Sequence, residues 1–233
     1  MEEKGPIPKT SGSLYIVATP IGNLEDLTLR ALRVLGEVAA IACEDTRQTL
    51  KLLNKYNIKK ELISYYQPRE RQKIPVILNV LRRGRDVALV SDSGTPGISD
   101  PGFRLIREAL KAGIHVIPIP GPTALAASLS ASGLPTHRFL FVGFPPPKKA
   151  AQDKLLLSLK NEPATMIFYL PGRKIADFLK QALEILGNRR TVVAREITKI
   201  YEEFLRGSAA EILAHVEKSQ IKGEITLLIQ GKD

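Results

Sequence analysis

Residues 87–112 read VALVSDSGTPGISDPGFRLIREALKA, and this run decides the architecture. Its aliphatic start, Val87 to Ser91, has the length and β-branched content of a buried strand. The stretch from Ser91 to Gly102 then piles up glycine, proline, serine and aspartate, which is loop chemistry. From Pro101 to Ala112 the apolar residues recur at helical spacing. Asp100 before them and Gly113 after them are expected to be the N-cap and the C-terminal glycine. Strand, long loop and helix in that order make half of a parallel crossover unit.

The same pattern extends outward on both sides. Strands are predicted at Leu14 to Ala18, Val38 to Cys43, Leu62 to Tyr65 and His115 to Pro118, with helices in the gaps. The helix Leu27 to Leu35 is expected to begin at Asp26 and to stop at Gly36. Beyond a proline-rich stretch the strands are read at Phe139 to Val142, Thr165 to Leu170, Thr191 to Ala194, Phe204 to Arg206 and Ile225 to Ile229. Helices Lys149 to Leu159 and Lys174 to Leu186 lie among them, and the short closing connections predict antiparallel pairing there. The expectation is α/β with two units, residues 13–120 and 121–233, preceded by a flexible arm over residues 1–12. No fixed-period repeat or low-complexity tract is present.

Composition narrows the class. The 233 residues carry 34 lysines and arginines against 24 acids, a formal charge of +10 that suits a polyanionic partner such as RNA. A basic surface without any nucleic-acid role is the plain alternative. The single cysteine, Cys43, excludes an internal disulfide framework and a multi-cysteine zinc site, and it favours a reducing, cytoplasmic setting. The stretch Val116 to Thr136 carries no charge, but its Pro118, Pro120, Pro122 and Pro135 would leave backbone groups unpaired in lipid, so a membrane span is rejected.

Ligands of open α/β sheets bind beyond the carboxyl ends of the strands. The loops expected there are Thr19 to Asp26, Ser91 to Gly102 and Pro118 to Thr123. None contains lysine or arginine, and the first two hold four carboxylates in a chain that is otherwise basic. A phosphate cradle would recruit cations, so these loops suit a ligand that is cationic or rich in hydroxyls. S-adenosylmethionine is both, with a sulfonium, an ammonium and a ribose. Glycines 22, 94 and 97 allow close backbone approach, and the prolines lower the entropy of ordering the loops. The spacing is equally compatible with aspartates that cap helices and glycines that make turns. G-x-G-x-x-G after the first strand, the P-loop, H-E-x-x-H and G-x-S-x-G are all absent, which removes the main signatures of dinucleotide, nucleotide-hydrolase, zinc-protease and serine-hydrolase sites.

Six segments in order, Ile16 to Thr28, Glu44-Asp45-Thr46-Arg47, Ser91 to Gly102, Pro120 to Leu125, Arg195 to Lys199 and Lys222-Gly223-Glu224, resemble the ribosomal RNA small-subunit methyltransferase I family. The resemblance implies the two-domain tetrapyrrole-methylase fold, a class III S-adenosylmethionine-dependent methyltransferase with its cofactor in the interdomain cleft, working as a homodimer. It implies cofactor contacts at Pro20, Gly22, Ser91, Asp92, Ser93, Gly94, Pro96, Ser99 and Pro122, and at Leu170 and Thr226. One loop departs from the family. Where relatives carry an acidic residue, serine, proline, histidine and arginine, this chain has Leu170, Pro171, Gly172, Arg173 and Lys174.

The resemblance also implies methylation of a cytidine ribose 2′-oxygen in the decoding region of 16S rRNA, within the small ribosomal subunit. That chemistry needs an in-line approach and a proton acceptor. Candidates are Glu44, Asp45 and Glu196, with Arg47 or Lys199 holding phosphate or the reacting oxygen. The structural alternatives are that Asp45 or Thr46 caps a helix and that Arg195 and Glu196 form an ion pair. For RNA contacts the available cations are Lys51, Lys55, Lys59, Lys60, an Arg69 to Lys73 turn, Arg82, Arg83, Arg85, Lys148, Lys149, Arg173 and Lys174. Tyr65 and Tyr66 are candidates to stack on a base, with a core role for Tyr65 as the alternative. Two rival functions keep the fold: a methylase of a tetrapyrrole or of an amino acid in a translation factor, and a non-catalytic RNA-binding assembly factor.

Overall fold

In the computed structural model, which describes residues 11–219 and 221–232, the chain divides into two compact units between Thr123 and Ala124. Residues 1–10, most of the expected N-terminal arm, lie outside the described residues.

The first unit is one five-stranded sheet: β1 (Leu14–Val17), β2 (Ala40–Cys43), β3 (Glu61–Ser64), β4 (Val87–Leu89) and β5 (Val116–Ile119), in the order β3-β2-β4-β1-β5. Every pairing is parallel. The period-2 alternation of its strands sends successive side chains to two cores. Leu14, Ile16, Ala40, Ala42, Val87 and Leu89 pack under α3 (Glu70–Arg82) and α4 (Phe103–Lys111). Val17, Ile41, Cys43, Ala88 and Val90 pack under α1 (Leu29–Glu37) and α2 (Thr46–Lys55). Two buried faces explain why these strands read as continuous apolar runs. β1 and β4 lie side by side, yet β1 leads to α1 on one face and β4 leads to α4 on the other. Their carboxyl ends therefore open the crevice at which α/β sheets take ligands.

Four sequence expectations change here. Thr28, not Asp26, caps α1, accepting from the Ala31 N–H at 3.1 Å, and Gly36 lies inside the helix. Asp26 belongs instead to a short 3-10 turn, Leu24–Asp26. Asp100 does not cap α4, because Gly102 with φ +156° takes that position. The Arg69 to Lys73 turn is instead a 3-10 turn, Gln67–Arg69, running into α3. Tyr65 is core, 1% exposed, with its hydroxyl donating to Glu70 at 3.0 Å, so it cannot stack on a base.

The second unit holds α5 (Ala124–Ser130), β6 (Phe139–Gly143), α6 (Lys149–Ser158), β7 (Thr165–Pro171), α7 (Ile175–Leu186), β8 (Arg190–Arg195), β9 (Glu203–Ser208), α8 (Ala209–Lys218) and β10 (Glu224–Ile229). Its sheet order is β6-β7-β10-β8-β9. β6 and β7 are parallel and the remaining pairs antiparallel, as the short closing connections predicted. Met166, Phe168, Leu170, Val193, Ile225, Leu227 and Ile229 form the larger core with α6, α7 and α8. α8 begins with a capping box between Ser208 and Glu211. No helix among the described residues is long and apolar enough to cross a membrane.

Candidate functional site

The loops after β1, β4 and β5 are tied into one assembly. Thr19 and Gly94 exchange backbone hydrogen bonds of 2.9 and 3.0 Å, a short bridge between the first two loops. The Thr19 hydroxyl donates to the Ser91 carbonyl at 3.0 Å, and the Ser91 hydroxyl to the Gly94 carbonyl at 3.1 Å. Thr95 reaches the Pro122 carbonyl at 3.4 Å. Gly94 has φ +85°, which only glycine holds without strain. Gly121 is required for space, since a β-carbon there would lie 2.9 Å from that of Ala18. Pro20, Ser91, Gly94 and Pro96 are buried in this assembly, Pro122 is half-buried, and Gly22, Asp92, Ser93 and Ser99 are exposed along it. Ser99 is a non-glycine residue at φ +64°, a conformation the surrounding loop must enforce.

The β2–α2 turn joins the same place. Asp45 caps α2, taking the Arg47 N–H at 2.8 Å and the Arg47 guanidinium at 2.6 Å, so the capping alternative is borne out. Its own N–H donates to the Asp92 carboxylate at 3.0 Å, which locks the turn to the loop after β4. Hydrogen bonds from Arg47 hold Asp45 down to about 2. Its neighbours move the other way. Burial, then the charges of Asp92 and Asp45, push Glu44 upward. Burial, then Glu44 and Asp92, push Asp100 up to about 6, against a hydrogen bond from Ser91. The negative charges of this group thus oppose the ionisation of Asp100 as well as that of Glu44. Among the described residues neither Glu44 nor Asp100 has an ion-pair partner.

Asp100 is the member of this group that the sequence counted among the loop carboxylates and read as a cap, but did not mark out as a site residue. A signal was available in Pro101-Gly102. A β-carbon on Gly102 would sit 3.0 Å from the Gly97 nitrogen, so the loop folds back on itself and returns Asp100 toward Ser91. Four carboxylates thus gather at the crevice, two of them half-buried, unpaired and costly to ionise. A cation placed among them would remove that cost, so the donor set fits a sulfonium or ammonium group. Among the described residues no group of three His, Cys, Asp or Glu side chains is arranged to hold a metal ion.

In the second unit Glu196 and Lys199 meet each other. Glu196 Oε1 accepts from the Glu224 N–H at 2.8 Å and from Lys199 Nζ at 3.0 Å, while Lys199 also reaches Glu224 at 2.8 Å. The Glu224 N–H, then Lys199, holds the Glu196 carboxyl below its ordinary range, which makes it a weak proton acceptor. Glu196 and Thr198 stand at φ +49° and +66°, and Gly223 at φ +94° leaves room that a β-carbon 2.5 Å from Glu196 Oε1 would take. Arg195 pairs with Glu203 at 3.3 Å and with the Lys222 carbonyl at 2.8 Å, not with Glu196 as the ion-pair alternative supposed. Leu170 and Thr226 are both buried, but Leu170 packs in the core beneath α7 and Thr226 sits opposite Tyr169 on the other face. The departing Leu170 to Lys174 loop has its own logic. Gly172 donates to the Gly223 carbonyl at 2.7 Å, where a β-carbon would lie 2.7 Å from the Ile221 carbonyl.

Residues 13–213 match the family of tetrapyrrole (corrin/porphyrin) methylases. A ribosomal RNA small subunit methyltransferase I from Thermotoga maritima is 46% identical over 95% of this chain and 100% of its own length. The protein of that name from Halalkalibacterium halodurans is 49% identical over 94% of this chain and 76% of its own. Among solved structures, a uroporphyrin-III C-methyltransferase from Thermus thermophilus, complexed with S-adenosyl homocysteine, superposes with a TM-score of 0.63 at 22% identity. That match covers 95% of this chain and 98% of the other, and at such identity it speaks for the fold.

Proposed function

Since the chain belongs to the tetrapyrrole methylases, and among them to the ribosomal RNA small subunit methyltransferase I family, we propose that it methylates small-subunit ribosomal RNA. The acceptor is the 2′-oxygen of a cytidine ribose in the decoding region of 16S rRNA. S-adenosylmethionine, when bound, supplies the electrophilic methyl group. The observation that carries the reading is the pair Glu44 and Asp100, half-buried carboxylates without a cation at the carboxyl ends of a parallel sheet.

Each residue then has a task. Pro20, Gly22, Ser91 to Gly94, Pro96, Ser99 and Pro122 would hold the cofactor in the first unit. Asp92 fixes the β2–α2 turn through the Asp45 N–H, so that Glu44 is held in place. Glu44, its carboxyl raised by burial and by the charges of Asp92 and Asp45, accepts the ribose hydroxyl proton. Arg47, 85% exposed, is oriented by Asp45 toward solvent, where it meets a phosphate. The depressed Glu196 carboxyl shapes the strained turn that presents Lys199, and so serves positioning better than proton transfer. A cytoplasmic homodimer belongs to the same reading, supported by large apolar side chains at the surface such as Ile200, 95% exposed.

The test is incubation with labelled S-adenosylmethionine and small ribosomal subunits lacking the modification, followed by nuclease digestion and mass spectrometry. Label on a ribose of the decoding region is expected. Label on a base, or only on a tetrapyrrole offered in parallel, refutes the substrate assignment. Absence of any heat on titration with S-adenosylmethionine would favour the assembly-factor alternative.

A further inference from the structure

At the carboxyl end of β6 the chain breaks a rule of sheet pairing. β6 and β7 run parallel, yet their register slips between Phe141 and Gly143, a bulge of a kind that parallel pairs rarely contain. Gly143 lies there at φ +75° and is itself buried. The effect is to throw the next side chain, Phe144, off the strand and into solvent, where it is 63% exposed. A phenylalanine kept out of the core contributes little to stability, so its placement needs another reason.

The ring is nonetheless held. It meets Tyr169 edge-on, with centroids 5.5 Å apart, and Tyr169 in turn meets Phe141 at 5.0 Å. The Tyr169 hydroxyl accepts the Leu125 N–H at 3.0 Å, which fixes that ring. Behind Phe144 come Pro145, Pro146 and Pro147, which have little freedom to lose, and the Pro146 carbonyl accepts from Gln152 Nε2 at 2.7 Å. Gln152 is 8% exposed, so the anchor is a buried polar side chain spent on a surface loop. Exposed Lys148 and Lys149 follow at once, at the start of α6.

We propose that Phe144 is a stacking platform for an unpaired base of the RNA substrate, with Lys148 and Lys149 receiving the adjoining phosphates. A fixed, exposed π-face followed by cations is the combination that single-stranded nucleic acid requires, since every base offers a face and every linkage a charge. The net charge of +10 suits any polyanion, and the exposed ring favours this occupant over an acidic protein surface, which offers no bases to stack. The inference rests on RNA being the substrate.

The chain has no tryptophan, so Phe144→Trp places a single indole reporter at the platform. Single-stranded oligouridylate should quench it, and the same strand hybridised to oligoadenylate should not. With unmodified small subunits, Phe144→Ala and Phe144→Leu should each raise KM about five- to a hundred-fold, the range alanine substitution gives for one stacked base. Phe144→Trp should stay within about threefold of the parent, and the affinity for S-adenosylhomocysteine should be the same in all four proteins. Full activity in Phe144→Leu, equal quenching by the duplex, or weakened S-adenosylhomocysteine binding in Phe144→Ala overturns the platform. So does dissociation of an oligomer in Phe144→Ala, which would make a second copy the occupant. If the parent methylates no RNA, the functional reading falls by itself, because the quenching is read without turnover.

Discussion

Asp100→Asn should stabilise the protein above neutral pH and weaken its hold on the methyl donor. In the folded chain the Asp100 carboxyl lies at about 6 against 3.8 for a free one, pushed there by burial and by Glu44 and Asp92. At about 1.4 kcal/mol per pH unit the gap corresponds to about 3 kcal/mol, and partial access of water to the residue lowers the expected gain to about 1–3 kcal/mol. The sign follows from proton binding. Between pH 4 and 6 the folded state keeps a proton the unfolded state has lost, so Asp100's contribution to stability is complete at lower pH and disappears as pH rises through about 6. Asparagine never ionises, and its amide oxygen can still accept from Ser91. The variant should therefore match the parent at about pH 4 and exceed it at pH 8, by several degrees in melting temperature. Urea and thermal unfolding at both pH values, without added cofactor, measure this. Adding S-adenosylmethionine at pH 8 should then narrow the gap, because only the parent gains a cation for its carboxylate. An equal advantage at both pH values, or none at pH 8, would refute the assignment of Asp100 to a strained acidic group.

Gly223→Ala should cost about 2–3 kcal/mol, combining a left-handed φ with a β-carbon driven into Glu196 Oε1, and calorimetry would register it as a lowered melting temperature. Glu196→Gln should cost about 1–2 kcal/mol at pH 7. Its depressed carboxyl stabilises the fold only while ionised, so the difference from the parent should close as pH falls through the carboxyl's own range, a trend that urea titrations at several pH values would follow. Arg47→Ala should leave the melting temperature unchanged, the pair with Asp45 being exposed, while the slope of log affinity for subunits against log salt falls by about one. An unchanged slope in filter binding would remove Arg47 from the phosphate contacts.

What the sequence decided, it decided through local periodicity. The uninterrupted apolar runs Leu14 to Val17, Ala40 to Cys43 and Val87 to Val90 call for two buried faces, and hence a parallel sheet covered on both sides. The acidic loops without lysine or arginine likewise announced a cationic ligand, because their charge is a property of the chain itself. Local rules also misled. Asp100 before Pro101 looked like a cap, and Tyr65 beside Tyr66 looked like a stacking residue. Each was settled by a contact a few residues outside the dipeptide that misled: Gly97 folding against Gly102, and Glu70 receiving the Tyr65 hydroxyl.

The opposite faces of Leu170 and Thr226, and the exchange of partners that gives Arg195 to Glu203 and Glu196 to Lys199, depend on strand register. The bulge that exposes Phe144 depends on it as well. Register is set by which strands pair, and pairing is a contest among distant segments that no window of sequence contains. The chain therefore states which chemistry its loops can offer, while folding alone decides which side chains share a site and what charge each will bear.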